Sequence, residues 1–262
     1  MKIVLWIGKE PNQIALAHKI NEQFEVVGIV YEQKNKKKRL TVSEFFQKIR
    51  IRIFYSFIPK TWVKILNHYA KTYPKELLVE SLTVENINNK KVKYFTEKLD
   101  PDVIAVSGTR LIKGKNIEIK THKGIVNLHT GLSPYIKGGP NCTNWCISKG
   151  WTHLIGNSIM WLDEGIDSGN LILTEKTKIS GNETFYELHL KVMEHAHDLY
   201  LQALNKIKRN NAKSVPQNQI TKGITFYSKN WNIKAHIDLK INWKRFKKLV
   251  NKQKSIKVIE VK

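Results

Sequence analysis

Short apolar runs and helical stripes alternate along this chain. Residues 2–7 and residues 25–31 (Glu-Val-Val-Gly-Ile-Val-Tyr) are compact hydrophobic runs, and residues 11–22 between them have the spacing of a helix. Strand, helix, strand in that order predicts a parallel sheet with helices on its faces. Residues 42–73 then carry Phe45, Phe46, Ile49, Ile53, Phe54, Phe57, Trp62, Ile65, Leu66 and Tyr69 at largely helical spacing. Pro59 should break this run into two helices, giving a helical insertion over about 34–77 that packs on the sheet. A helix over 90–99 leads into a central strand at 103–106, and further apolar runs at 124–128 and 155–162 predict two more strands. Each of these last three should deliver a glycine-containing loop to the ligand-collecting edge of the sheet. A long helix follows over 183–206, with Phe185, Leu188, Val192, Ala196, Leu199 and Ala203 as its apolar stripe.

From about residue 210 the pattern weakens. Thr225-Phe-Tyr-Ser and Trp231-Asn-Ile-Lys suggest a small appended unit, and residues 243–262 read as a basic helix with a frayed end. The expected division is a catalytic domain over 1–208 and a small basic C-terminal region over 209–262. Residues 201–262 hold sixteen Lys or Arg against Asp238 and Glu260, and so supply +14 of the formal charge of +23. Such an excess suits anionic partners, nucleic acid among them, but the chain is also rich in Lys, Asn and Ile together, as an A+T-rich genome would make it. Charge alone therefore does not identify a nucleic-acid protein.

Other classes are disfavoured. No apolar run approaches the length of a bilayer span, and the apolar start suits a first strand better than a secretory signal, so a cytoplasmic protein is expected. The turn Gly8-Lys-Glu-Pro-Asn-Gln lacks the glycine fingerprint of dinucleotide binding. Cys142 and Cys146 lie four apart on a predicted helix without further metal ligands. His195 and His197 point apart on one helix and, with His189, read as structural or solvent-facing. No metal is expected.

Two local patterns carry chemistry. Gly124-Ile-Val-Asn-Leu-His-Thr-Gly-Leu-Ser-Pro-Tyr-Ile-Lys-Gly138 is a strand running into a loop, and Ile159-Met-Trp-Leu-Asp-Glu-Gly-Ile-Asp-Ser-Gly169 is a second strand with a glycine-bounded loop. An amide (Asn127), an imidazole (His129) and a carboxylate (Asp167) at strand ends suit acyl transfer to an amine. One group polarises the carbonyl oxygen, one handles the proton, and one orients the imidazole.

The pair of patterns resembles the formyltransferase family that uses 10-formyltetrahydrofolate. Asn127-Leu-His129, Pro134, Gly138 and Gly165-Ile-Asp-Ser-Gly169 carry the resemblance, over roughly residues 80 to 205. It implies a Rossmann-like α/β fold, mostly parallel, with helices on both faces. It also implies Asn127, His129 and Asp167 as the catalytic set, and 10-formyltetrahydrofolate as co-substrate. The loop of Ser107, Gly108, Thr109, Arg110, Leu111 and Ile112 would line the pterin pocket, with Asp163 and Gly165 also on the folate side. A homodimer is expected from the resemblance alone.

Where familiar members follow the His with Ser-Leu-Leu-Pro, this chain has Thr130-Gly-Leu-Ser133 before Pro134. That departure and the short tail favour members that formylate nucleotide-linked amino sugars for bacterial surface polysaccharides. Thr130, Tyr135, Lys137 and Asn141 would then contact the acceptor. Methionyl-tRNA formylation, hydrolysis of the formyl folate, and a non-catalytic nucleic-acid-binding role on the same fold are the alternatives.

Overall fold

In the computed structural model, residues 1–33, 55–139 and 141–262 are described. The predicted first half of the helical insertion, and the basic run at 34–39, lie outside them. Seven strands form one sheet in the order β3-β2-β1-β4-β5-β7-β8. They are β1 (Lys2–Gly8), β2 (Glu25–Glu32), β3 (Ser81–Val84), β4 (Val103–Ser107), β5 (Gly124–His129), β7 (Gly156–Trp161) and β8 (Leu171–Lys176). The first five pair in parallel, while β7 runs antiparallel to both β5 and β8. The fold is therefore α/β with a mainly parallel sheet.

Two faces of the sheet are buried by different helices, which is why β1 and β4 read as unbroken apolar runs. Ile3, Leu5 and Ile7 face α1 (Pro11–Asn21) and α5 (Phe185–Lys208), packing with Leu16, Ile20, Leu199 and Leu204. Val4 and Trp6, on the opposite face, pack with Val92 and Phe95 of α3 (Lys90–Leu99). The Trp6 indole donates to Thr96 Oγ1 at 3.0 Å, so the one polar atom of that ring is satisfied. At Gly28 in β2 a Cβ would meet Leu99 Cδ1 at 2.4 Å, and glycine lets α3 approach the strand.

Pro59 occupies the third position of α2 (Phe57–Thr72), within the first turn, where a missing backbone N–H costs little, and the other helix expected before it lies outside the described residues. This helix also packs on other helices rather than on the sheet. Ile65 and Tyr69 cluster with Ala15 of α1 and Met193 of α5. No helix among the described residues is long and apolar enough to cross a membrane.

The C-terminal region wraps around the sheet domain. Its short strand β9 (Ile224–Phe226) pairs in parallel with β6 (Ile136–Gly138), a two-stranded sheet that the sequence pattern did not reveal. Helices α6 (Ile233–Lys244) and α7 (Phe246–Gln253) contribute Leu239, Phe246 and Val250 to a core shared with Cys146 and Ile147 of α4 (Cys142–Lys149). The end expected to fray is pinned instead. Val261 exchanges both backbone hydrogen bonds with Thr174, and Glu260 accepts from Lys176 N at 2.8 Å.

Two histidines of α5 set an acid limit on this fold. Burial lowers His189 to about 4 and His197 to about 3. Both are neutral when folded, whereas an unfolded chain binds those protons near pH 6.5. Their contribution is therefore complete above pH 6.5 and is lost as pH falls toward the folded values. The urea midpoint should fall continuously from pH 7 to pH 4.5, and His197→Leu should flatten the slope. A flat midpoint in the unaltered protein would contradict this.

Candidate active site

The chain order reverses between β1 and β4, since β1 leads outward to β2 while β4 lies on its other side. That switch point opens a cavity of about 640 Å3 at the carboxyl ends of the parallel strands. Its walls include Asn12 and Gln13 of α1, residues 106–112 at and after the end of β4, residues 127–130 at and after the end of β5, residues 160–163 and 165–169, and Phe226, Tyr227 and Ser228.

One expectation about the strand ends needs correcting. Because β7 is antiparallel, its last residue Trp161 pairs with Val126 rather than ending beside His129. The loop that follows folds back along β5 and brings Asp167 to the carboxyl edge. Asp167 is then the hub of the site. Its Oδ2 accepts from Gly138 N at 2.9 Å and stands 3.3 Å from His129 Nδ1. Its Oδ1 lies 3.4 Å from Asn127 Nδ2. Asn127, His129 and Asp167 thus converge, as their order in the sequence suggested.

His129 is held from its other side too. Its Nε2 lies 3.3 Å from the Ile136 carbonyl and 3.5 Å from Cys142 Sγ, a thiol equally close to the Gly138 carbonyl. Burial opposes a charged imidazole here. The Asp167 carboxylate, assisted by Cys142 and the Ile136 carbonyl, outweighs burial and raises His129 to about 9. Burial pushes the Cys142 thiol up, so it is neutral near pH 7. At neutral pH the site therefore contains an imidazolium beside a carboxylate.

The predicted folate-side loop lines the cavity from Ser107 through Ile112. Ile112 is 1% exposed and is also a core residue. Two residues that sequence reasoning missed brace this loop. The Glu32 carboxylate, fully buried at the end of β2, accepts from Arg110 N at 2.8 Å and Ile87 N at 2.9 Å. Asn88 Nδ2 donates to the Leu111 carbonyl at 3.0 Å, and Asn88 Oδ1 accepts from Lys113 N at 2.7 Å.

Asp163 and Gly165 line the cavity, but the Asp163 carboxylate is engaged inside its own turn. It accepts from Ser168 Oγ at 2.8 Å and from Gly165 N at 3.1 Å. Asp163 therefore shapes the turn that presents Asp167.

Of the four residues proposed for the acceptor, Thr130 lines the cavity and Tyr135, Lys137 and Asn141 do not. The Tyr135 hydroxyl accepts from Ile259 N at 2.8 Å, and Asn141 caps α4 by accepting from Asn144 N at 2.9 Å. Phe226, Tyr227 and Ser228 form the wall instead. No side-chain spacing marks them, because their place depends on a three-residue strand pairing across some ninety positions. Among the described residues no group of His, Cys, Asp and Glu could hold a metal.

A family model for formyl transferase matches residues 1–204. The methionyl-tRNA formyltransferase of Clostridium tetani is 37% identical over 111 residues, 42% of this chain and 35% of its own length. That of Fusobacterium nucleatum subsp. nucleatum is 31% identical over 161 residues, 62% of this chain and 48% of its own. The matches thus span half or less of these curated relatives.

Two solved structures share the fold. A 4-N formyltransferase from Francisella tularensis aligns with a TM-score of 0.57 at 16% identity, covering 91% of this chain and 86% of that one. An N-formyltransferase from Helicobacter canadensis, in complex with folinic acid and dTDP-3-aminofucose, gives 0.59 at 14%, covering 93% and 81%. The match over most of the sheet domain includes the residues that meet at its carboxyl edge, and the chain belongs to the formyl transferase family.

Proposed function

We propose that this protein transfers a formyl group from 10-formyltetrahydrofolate to the amine of a nucleotide-linked amino sugar. The observation that carries the reading is the convergence of Asn127, His129 and Gly138 N on the Asp167 carboxylate at the wall of the cavity. The cavity is within the size range of small-molecule sites, and the polar loop 107–112 with the turn at 163–169 suits a folate headgroup.

Chemically, the amine nitrogen bonds to the formyl carbon, and the bond from that carbon to the folate nitrogen breaks. Asn127 offers an amide N–H to the formyl oxygen, where negative charge develops. His129, already protonated, adds positive charge beside it and cannot serve as the base. Asp167 then takes the proton that the amine must lose, and it can return a proton to the departing nitrogen. The sign of the pH dependence follows. His129 is raised from 6.5 to about 9. Its stabilising contribution is full below pH 6.5 and is lost as pH rises through about 9. Turnover should fall on the same alkaline limb, and on the acid side as the amine becomes protonated. A profile still rising above pH 10 would contradict the imidazolium role.

Methionyl-tRNA is the second acceptor considered, because the curated relatives named above act on it. The sugar nucleotide is preferred because residues 226–228 close one wall of the cavity and the C-terminal region folds back on the sheet domain. Incubation with 10-formyltetrahydrofolate, a panel of amino-sugar nucleotides and charged initiator tRNA, read by mass spectrometry, separates them. One added formyl group on a sugar nucleotide supports the proposal. Formylated tRNA would replace it, and folate consumed without a modified acceptor would indicate a hydrolase.

A further inference from the structure

Gln217 lies beyond the stretch matched by the family model, and nothing in the surrounding sequence singles it out. It follows Val215, which exchanges two backbone hydrogen bonds of 2.9 Å with Leu171 at the start of β8. Residues 215–217 thereby form a strap behind the Asp167 turn. The Gln217 side chain is buried, and its Nε2 donates to the carbonyls of Asp167 and Gly169, both at 2.8 Å.

The amide cannot be turned over without setting Oε1 against two carbonyl oxygens. In the orientation adopted, Oε1 is buried with no partner, so the two donor contacts outweigh an unsatisfied acceptor. Those contacts bracket a left-handed turn. Asp167 has φ of 49°, a region that few residues other than glycine, Asn and Asp adopt, and the two bonds from Gln217 fix the backbone on either side of it.

We propose that Gln217 is a positioning residue, whose bonds to the Asp167 and Gly169 carbonyls hold that left-handed turn and so keep the Asp167 carboxylate on His129. The C-terminal region then belongs to the catalytic apparatus. This rests on the catalytic reading of Asp167, but part of its test does not.

Two variants of the full-length protein probe it. Gln217→Met removes the donors at similar length, and Gln217→Glu keeps the shape while replacing donors with acceptors. Both should lower kcat about tenfold or more, the scale of a slightly displaced catalytic group. KM for the formyl donor should stay within about twofold, and the melting temperature within about 5 °C. The decisive readout is titration of the His129 ring by NMR, where Asp167 and Cys142 are the ionisable groups facing it. With Asp167 displaced, that titration should move down by about one pH unit or more.

An unmoved His129 titration in a folded variant overturns the proposal, whatever the activity does. Wild-type kcat in both variants overturns it as well, and so does failure of both to fold, which would make Gln217 a purely structural residue. If no acceptor is ever formylated by the unaltered protein, the functional reading fails while the titration still judges Gln217.

Discussion

Asp167→Asn should lower turnover by at least about a hundredfold, the scale of a lost acid–base group, and His129→Asn should do the same. The two losses have different causes. Asparagine at 167 can still meet Gly138 N but has no charge, so the chief group offsetting burial at His129 is lost and the balance moves toward the neutral imidazole. The proton acceptor disappears and the positive charge diminishes with it. Asparagine at 129 removes the charge but leaves the carboxylate on Gly138 N. Steady-state kcat with circular dichroism on both variants checks this, and near wild-type rates in two folded variants would remove the assignment.

Gly138→Ala should damage both the fold and the site with a single methyl group. Gly138 has φ of 82°, and a Cβ there would stand 2.0 Å from the Phe226 carbonyl oxygen. No side-chain rotation relieves a clash with backbone, so β6 and β9 must separate. The backbone strain alone costs about 1–3 kcal/mol. Gly138 N would also leave the Asp167 carboxylate, so turnover should fall about tenfold or more as well. Gly139→Ala is the matching control, because a Cβ there meets nothing within 4 Å, and its stability should stay within about 0.5 kcal/mol. Equal urea midpoints for the two variants would contradict the argument.

The elements legible in the sequence are those whose burial is local and continuous. β1, β2, β4 and β5 are apolar runs because both faces of the sheet are covered, and α5 shows its stripe for the same reason. The candidate catalytic set was legible because its spacing resembles a known family. Other features were hidden for physical reasons. The antiparallel direction of β7 leaves no mark on composition, so the route of the Asp167 loop had to come from the register. Tyr135 and Asn141 were reasonable acceptor contacts by proximity, yet one bonds the C-terminal strand and the other caps a helix. Glu32, Asn88 and Gln217 act through backbone carbonyls and amides of distant loops, which side-chain patterns do not encode. Pro59 stands in the first turn of α2, close to the helix boundary that its missing N–H led the sequence to place there.

The central claim is that this cavity moves a formyl group from the folate nitrogen to an amine on a sugar nucleotide. The most direct test follows tetrahydrofolate release and formylated sugar nucleotide together in one reaction. The account predicts equal amounts of both with the unaltered protein, and neither above background with Asp167→Asn. Tetrahydrofolate released without a formylated acceptor, or a formylated sugar made equally well by Asp167→Asn, would contradict it.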